Sequence, residues 1–438
     1  MKDSDSCALR EKLGSRLGFL MLAAGCAVGL GNVWRFPFIV GQNGGAAFVL
    51  LYLFFLSLFG LPLLIAELSV GRASGRGISG ALKELAAKNK KFWHLAGLVI
   101  FSGNLLLMLY YSDVGGWLLC FASSYVTACR PPAFSEMLKD TGLCTAFMCT
   151  VVAISTGVCA LGVQKGVERI TKWMMISLIL LIVALAVKSL TLDGAAKGLE
   201  FYLKPNFAKI AENPVKSIFE AMGQAFFTLS VGVGCMTIFG SYTSKNESLV
   251  KEGAFIVLID TFIAIVAGLI IFPACATFNV AVDSGPGLIF EALPKVFAAM
   301  EGGRIWGALF FLFLTLAALT TIIAVFECII GGLCDELCLR RSRVAVLVGM
   351  VVMAGSLPTI LFPGVLEMED FIFSQFCLPL GALAVCVFVS RQFGWGFSNF
   401  RREASSGRGP SLPNGMAVFF RWIIPVLIAL IVIGGAIM

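Results

Sequence analysis

Among the ionisable side chains that stand within long apolar runs of the sequence or at their edges are Arg35, Glu67, Asp260 and Asp370. In a membrane such groups are costly and normally face a cavity or a partner within the protein, so each is a candidate functional residue. Arg35 lies late in its run and Asp370 begins another at the same predicted level. This favours an ion pair, and the alternative is an arginine that extends to the surface. Glu67 and Asp260 are either hydrogen-bonded structural acids or acids that face an aqueous cavity.

Glycines interrupt two of the apolar runs near their centres. One run contains GCAVGLGN at 25–32, and the other contains LSVGVG at 229–234. Glycine costs a helix about 1 kcal/mol relative to alanine, although small residues also allow close helix packing. The two runs begin two corresponding five-helix blocks, which favours broken helices around a transporter's midplane site. Elsewhere, Thr320 and Thr321 either line such a site or bond back to their own helix.

The composition is that of an integral membrane protein. Of 438 residues, 58% are hydrophobic and only 13% are charged, whereas soluble domains carry about 25% charged residues. Phenylalanine, which can face lipid, occurs 38 times and tyrosine only six times. The net charge of +7 does not indicate a nucleic-acid partner, because the basic residues lie in short loops between apolar runs.

The apolar runs predict eleven membrane spans, since one crossing needs about 20 residues. The spans cover roughly 17–40, 45–70, 95–127, 144–162, 169–190, 215–241, 254–280, 303–330, 343–361, 371–390 and 416–438. Of the 33 Lys and Arg residues, 23 fall on the side of the N-terminus and nine on the other side. The positive-inside rule therefore predicts a cytoplasmic N-terminus and, with eleven spans, an extracytoplasmic C-terminus in the cell (inner) membrane. Residues 1–15 are polar, so a cleavable signal peptide is not expected.

Neither the cysteines nor the histidine indicate an enzyme. Cys334 and Cys338 have metal-ligand spacing, but no second pair follows, so a zinc site is not favoured. Cys129 and Cys144 flank one predicted outer loop and either form a disulfide or remain free. His94 is the only histidine and lies near the predicted surface.

Several motifs along the chain resemble those of the neurotransmitter:sodium symporters. They are Arg16-Leu17-Gly18, GCAVGLGNVWRFP at 25–37, Asn43-Gly44-Gly45, Tyr110-Tyr111, QAFFTLS at 224–230, Leu319-Thr320-Thr321 and Asp370-Phe371. The resemblance implies an all-α LeuT-type fold with two inverted five-helix repeats plus one extra helix, in which helices 1 and 6 are unwound at the midplane. The expected divisions are a cytoplasmic segment at 1–16, repeats at 17–190 and 191–390, and a cytoplasmic loop with the eleventh helix at 391–438.

The same resemblance implies two sodium sites. The first would use Ala27, Asn32, Thr228 and Asp260 together with the substrate carboxylate. The second would use carbonyls of Gly25, Val28 and Ala317 with the hydroxyls of Thr320 and Thr321. Sodium is a hard cation that prefers oxygen ligands, and unwound backbone supplies carbonyl oxygens at the midplane.

The implied substrate is an amino acid. Its pocket would comprise Cys26, Ala27, Leu30, Gly31, Leu107, Tyr111, Phe227, Thr228, Ser230, Val233, Thr321 and Val325. Relatives that carry amines have an aspartate at the position of Gly29, so a glycine there indicates a substrate with its own carboxylate. The pocket lacks ionised side chains, which favours a neutral, mainly hydrophobic side chain. Val233 replaces a bulkier residue of some relatives and favours an aromatic one.

Gating residues also follow from the resemblance. They are Arg35 and Asp370 outside, and Arg10, Asp335 and Tyr242 inside. Leu13 stands where relatives commonly have a tryptophan that plugs the inner gate. Glu67 matches a buried acid that braces the unwound part of the sixth helix.

Coupling is expected to be independent of chloride. In chloride-dependent relatives an asparagine stands at the position of Asp260, whose carboxylate here supplies the missing negative charge. Asp260 is also a candidate for proton binding during the empty return step. The alternative to a symporter is a non-transporting amino-acid sensor or a channel with the same fold.

Overall fold

The computed structural model describes residues 11–127, 131–280 and 287–437. Throughout these ranges the regular secondary structure is helical, with no strand. The predicted all-α fold is therefore confirmed. Large apolar side chains such as Leu50, Phe54 and Phe92 are more than half exposed, as expected for surfaces that face lipid rather than water.

Within the described part of the chain, nine helices are long and apolar enough to cross a membrane. They are α3 (Ala46–Ser74), α5 (Lys90–Val126), α6 (Thr141–Ala160), α7 (Val163–Leu190), α10 (Leu249–Phe278), α11 (Gly303–Leu337), α12 (Arg341–Leu361), α13 (Val365–Ser390) and α14 (Met416–Gly434). Among the other helices are α1 (Arg16–Ala27), α2 (Gly31–Gln42), α4 (Ile78–Leu85), α8 (Pro214–Thr228) and α9 (Cys235–Ser241).

The first predicted span is a pair of helices. Helices α1 and α2 meet at a bend of 55°. Ser15 caps the beginning of α1 by accepting a hydrogen bond from the Gly18 amide. At its end Val28 is extended, with ψ 104°, so the helical hydrogen-bond ladder stops and resumes only at Gly31. The break falls within the predicted glycine motif.

The sixth predicted span is also divided, into α8 and α9. Between them Ser230, Gly232 and Gly234 have φ values of 50°, 99° and 79°. Such left-handed conformations end helices and favour glycine. Neither α8 nor α9 alone is long enough to cross a bilayer. The total of eleven spans and the boundaries of the two repeats stay predictions.

The broken helices pack around α11 at the centre of the molecule. In the most apolar stretch of α11, 83% of the residues are buried, and α11 packs against α1, α5 and α9. The breaks in α1–α2 and α8–α9 therefore lie in protein rather than lipid, which is the condition for non-helical backbone at membrane depth.

Replacing Gly232 by alanine is expected to destabilise the protein. A Cβ there would lie 2.0 Å from the Leu378 carbonyl oxygen at a φ of 99°, and a strained φ alone costs about 1–3 kcal/mol. The melting temperature in detergent should fall. The matched control is Gly157→Ala in α6, where a Cβ meets no atom within 4 Å and helix propensity favours alanine. Equal melting temperatures for the two variants would contradict this account of the break.

Candidate functional site

A buried cluster of oxygen-bearing side chains joins the two broken helices to α10. The Asp260 carboxylate accepts hydrogen bonds from the Asn32 side-chain amide at 2.8 Å and from the Thr228 hydroxyl at 2.8 Å. All three residues are fully buried or nearly so. The structure thus brings together the three side chains predicted for the first sodium site. The identity of the ion remains a prediction.

A second cluster joins the break in α1–α2 to α11. The Thr321 hydroxyl lies 3.2 Å from the Gly25 carbonyl oxygen, 3.0 Å from that of Val28 and 3.2 Å from that of Ala317. These are the three carbonyls predicted for the second sodium site. The Thr320 hydroxyl donates to Ala317 at 2.9 Å, as in the alternative in which a threonine bonds back to its own helix.

Most of the predicted substrate residues line a small cavity. Its volume is about 30 Å³, which holds about one water molecule. An amino acid therefore requires the walls to move. The walls comprise Cys26, Ala27, Gly29, Gly31, Leu107, Tyr111, Phe227, Ser230, Thr321, Phe373 and Leu378. Of the predicted residues, Leu30, Thr228, Val233 and Val325 are not in this lining, whereas Phe373 and Leu378 were not predicted.

The two glycines of the cavity wall leave room that any side chain would fill. A Cβ on Gly29 would lie 2.8 Å from the Tyr111 hydroxyl, and one on Gly31 would lie 2.7 Å from the Phe227 ring. The Tyr111 hydroxyl accepts a hydrogen bond from the Leu30 amide at 3.1 Å. These contacts place a hydroxyl and a backbone amide, both able to donate to a carboxylate, beside the cavity.

Glu67 holds the non-helical segment of the sixth span. Its carboxylate accepts a hydrogen bond from the Gly232 amide at 2.5 Å, and both groups are buried. This contact is the one that the bracing role requires. Asn104 supports the same segment, because its amide donates to the Val233 carbonyl at 2.7 Å.

On the predicted outer side, Arg35 and Asp370 each contact an aromatic residue. The Arg35 guanidinium lies over the Phe227 ring, 4.5 Å from its centre, and Asp370 accepts a hydrogen bond from the Tyr110 hydroxyl at 2.9 Å. Ion pairs within 4.0 Å among the described residues do not include Arg35 with Asp370. Their direct pairing stays a prediction.

On the predicted inner side, Arg10 lies outside the described residues. Its expected partner Asp335 accepts a hydrogen bond from the Gly77 amide at 2.7 Å. Leu13 is half-buried and packs against the apolar core, which is a smaller closure than a tryptophan would give.

A buried ion pair that the sequence analysis did not predict links α11 to the beginning of α12. Glu327 is fully buried and forms a two-point ion pair with Arg341. The Tyr242 hydroxyl donates to the same carboxylate at 2.5 Å. The available signal was an acid in an apolar run, six residues after Thr321. Arg341 lies among the basic residues of a predicted loop, at 340–343.

Among the described residues, the remaining candidates do not form a metal cluster. Cys129 lies outside the described residues, and the Cys144 thiol lies 3.2 Å from the Met137 carbonyl oxygen. His94 pairs with Glu336 at 3.1 Å. Three or more His, Cys, Asp or Glu side chains suited to a metal ion do not gather anywhere in the described ranges.

Comparisons with known proteins find a matching family, sequence relatives and a solved structure. The model of the sodium:neurotransmitter symporter family matches residues 10–133 and 132–438. An uncharacterized sodium-dependent transporter of Bacillus subtilis, YhdH, is 33% identical over 93% of this chain and 92% of its own length. Another from Haemophilus influenzae is 30% identical over 97% and 98%. The crystal structure of MhsT in complex with L-phenylalanine has a TM-score of 0.86 and 33% identity, covering 98% of this chain and all of that one.

Thr321→Val is expected to destabilise the protein more than Thr315→Val. The Thr321 hydroxyl joins two helices, whereas that of Thr315 donates to Phe311 within α11 at 2.7 Å. Leaving buried carbonyls of the break without a hydrogen-bond partner destabilises the folded state by about 1–3 kcal/mol. Thermal melting of both variants in detergent checks this. The interpretation would be wrong if Thr315→Val were the less stable variant.

Proposed function

The chain belongs to the sodium:neurotransmitter symporter family, and on that premise we propose that it imports a neutral, mainly hydrophobic or aromatic amino acid by alternating access. Proteins of this family are sodium-dependent membrane transporters rather than enzymes. The observation that carries the proposal is the convergence of Asn32, Thr228 and Asp260 beside a cavity between two broken helices.

The donor atoms of the two clusters suit sodium. A hard cation takes oxygen ligands, and each cluster presents carboxylate, amide, hydroxyl or carbonyl oxygens. Sodium in the first cluster would neutralise Asp260, which is fully buried. A second sodium would take the carbonyls that Thr321 now contacts. Two ions per cycle, held at the breaks of both helices, would thus link sodium binding to the position of these helices.

The cavity supports a substrate that brings its own carboxylate. Its lining contains no ionised side chain, so a charged substrate side chain would be left unpaired in an apolar site. The Tyr111 hydroxyl and the amides near Leu30 lie where a carboxylate would be bound. MhsT, which has the same fold, is described in complex with phenylalanine, and this supports an aromatic or similarly apolar side chain.

Phe227 would act as the outer lid in this cycle. Its ring lies between the cavity and Arg35. Because the closed cavity holds only about 30 Å³, substrate entry requires the ring to swing away. Movement of the ring would also release Arg35, which is then free to approach Asp370 when the gate closes over bound substrate. The distribution of lysine and arginine supports an orientation in the inner membrane with the N-terminus in the cytoplasm.

Removing sodium is expected to abolish accumulation of the amino acid. Purified protein in liposomes should concentrate phenylalanine or another apolar amino acid when external sodium exceeds internal sodium, but not when choline or potassium replaces it. A thermal-shift screen of the twenty amino acids, with and without sodium, selects the substrate. Uptake that is undiminished without sodium would refute sodium coupling. Sodium-dependent binding without accumulation would favour the sensor, and equilibration without accumulation would favour the channel.

Replacing chloride by gluconate is expected to leave uptake unchanged. Two sodium ions and a zwitterion bring net positive charge into a water-poor site, and Asp260 supplies the compensating negative charge. Asp260→Asn should lose at least tenfold in uptake, a change of about 1.4 kcal/mol or more, or become halide-dependent. Loss of parental uptake without chloride would contradict the proposal.

A further inference from the structure

Helix α5 carries a buried acid outside the two oxygen clusters. Asp113 is 2% exposed, and neither of its carboxylate oxygens has a hydrogen-bond partner in the described part of the protein. An ionised carboxylate without partners is strongly disfavoured in an apolar interior. Asp113 therefore needs a neutralising ligand, and the sodium ligands and cavity walls described above do not include it.

The charged group that acts on Asp113 is another acid. Glu369 of α13 is 8% exposed and interacts electrostatically with Asp113. Helices α5 and α13 pack against each other. Glu369 accepts one hydrogen bond, from the Thr359 hydroxyl of α12 at 3.3 Å. The Cys144 thiol of α6 also interacts electrostatically with Asp113.

We propose that Asp113 binds a proton and that Glu369 is the second acid of this proton-binding site. Two neighbouring carboxylates in an apolar setting cannot both ionise readily, so one keeps its proton. A multivalent metal is not favoured, because no third acidic, histidine or cysteine ligand completes such a site in the described ranges. The ligand is therefore a proton, which water supplies on the predicted outer side.

The location of the pair links it to the outer gate. Asp113 follows Tyr110 by three residues, so the two side chains lie on one face of α5. Glu369 directly precedes Asp370, which accepts the hydrogen bond of Tyr110. When the proton leaves Asp113, the negative charges of Asp113 and Glu369 repel, and α13 is pushed away from α5 at the Tyr110–Asp370 contact. Alkaline external pH should therefore favour the open outer gate, and acidic pH the closed one.

Infrared difference spectroscopy across a pH step tests the site without requiring transport. The parent protein should lose the carbonyl-stretch band of a protonated carboxylic acid at alkaline pH. Part of this band should be missing in Asp113→Asn. In Glu369→Gln the band of Asp113 should remain, and the pH at which it disappears should differ from that of the parent. In liposomes, the dependence of initial uptake on external pH should be reduced in both variants. The matched control is Asp140→Asn, an exposed acid on the same predicted side whose helix-capping role asparagine can keep.

Three results would overturn the proposal. The first is a parental band that Asp113→Asn leaves intact. The second is a band that sodium removes at constant pH, which would assign the pair to a metal cation instead. The third is a change in Asp140→Asn as large as that in Asp113→Asn. Failure of sodium-driven uptake alone would count against the proposed function and leave the spectroscopic result valid.

Discussion

The structure depends on one constraint: a backbone that leaves the helical ladder inside a membrane must find its hydrogen-bond partners within the protein. Two helices leave the ladder here, and buried side chains meet the freed groups. Glu67 binds the Gly232 amide, Asn104 binds the Val233 carbonyl, and Gln224 donates to the Gly31 carbonyl at 3.1 Å. Each of these partners comes from a different helix, so the breaks also hold the bundle together.

The groups that satisfy the breaks are of the kind that binds ions. A hydroxyl or carboxylate that accepts or donates a hydrogen bond in one state offers an oxygen to a cation in another. Thr321 shows this most directly, since its hydroxyl contacts carbonyls of Gly25 and Val28 in α1–α2 as well as Ala317 of its own helix. Exchange of such internal hydrogen bonds for ion contacts would link ion binding to helix position.

Much of this arrangement could be predicted from sequence, because glycines and polar residues inside apolar runs are conspicuous. The breaks at 25–32 and 229–234 and the bracing acid Glu67 are examples. Other features depend on side-chain positions that no pattern specifies. The volume of the cavity follows from the position of the Phe227 ring, and the lining by Phe373 and Leu378 follows from how α13 packs. The Glu327–Arg341 pair and Asp113 carried a usable signal, an acid in an apolar run, which the family motifs do not contain.

The central claim is that the polar groups at the two breaks bind sodium, and equilibrium binding of radioactive sodium to the purified protein tests it most directly. The account predicts saturable binding in the presence of substrate, with less sodium bound at saturation, or weaker binding, in both Asp260→Asn and Thr321→Val. Thr315→Val, which removes a hydroxyl of α11 away from the breaks, should bind as the parent does. Undiminished sodium binding in both Asp260→Asn and Thr321→Val would contradict the account.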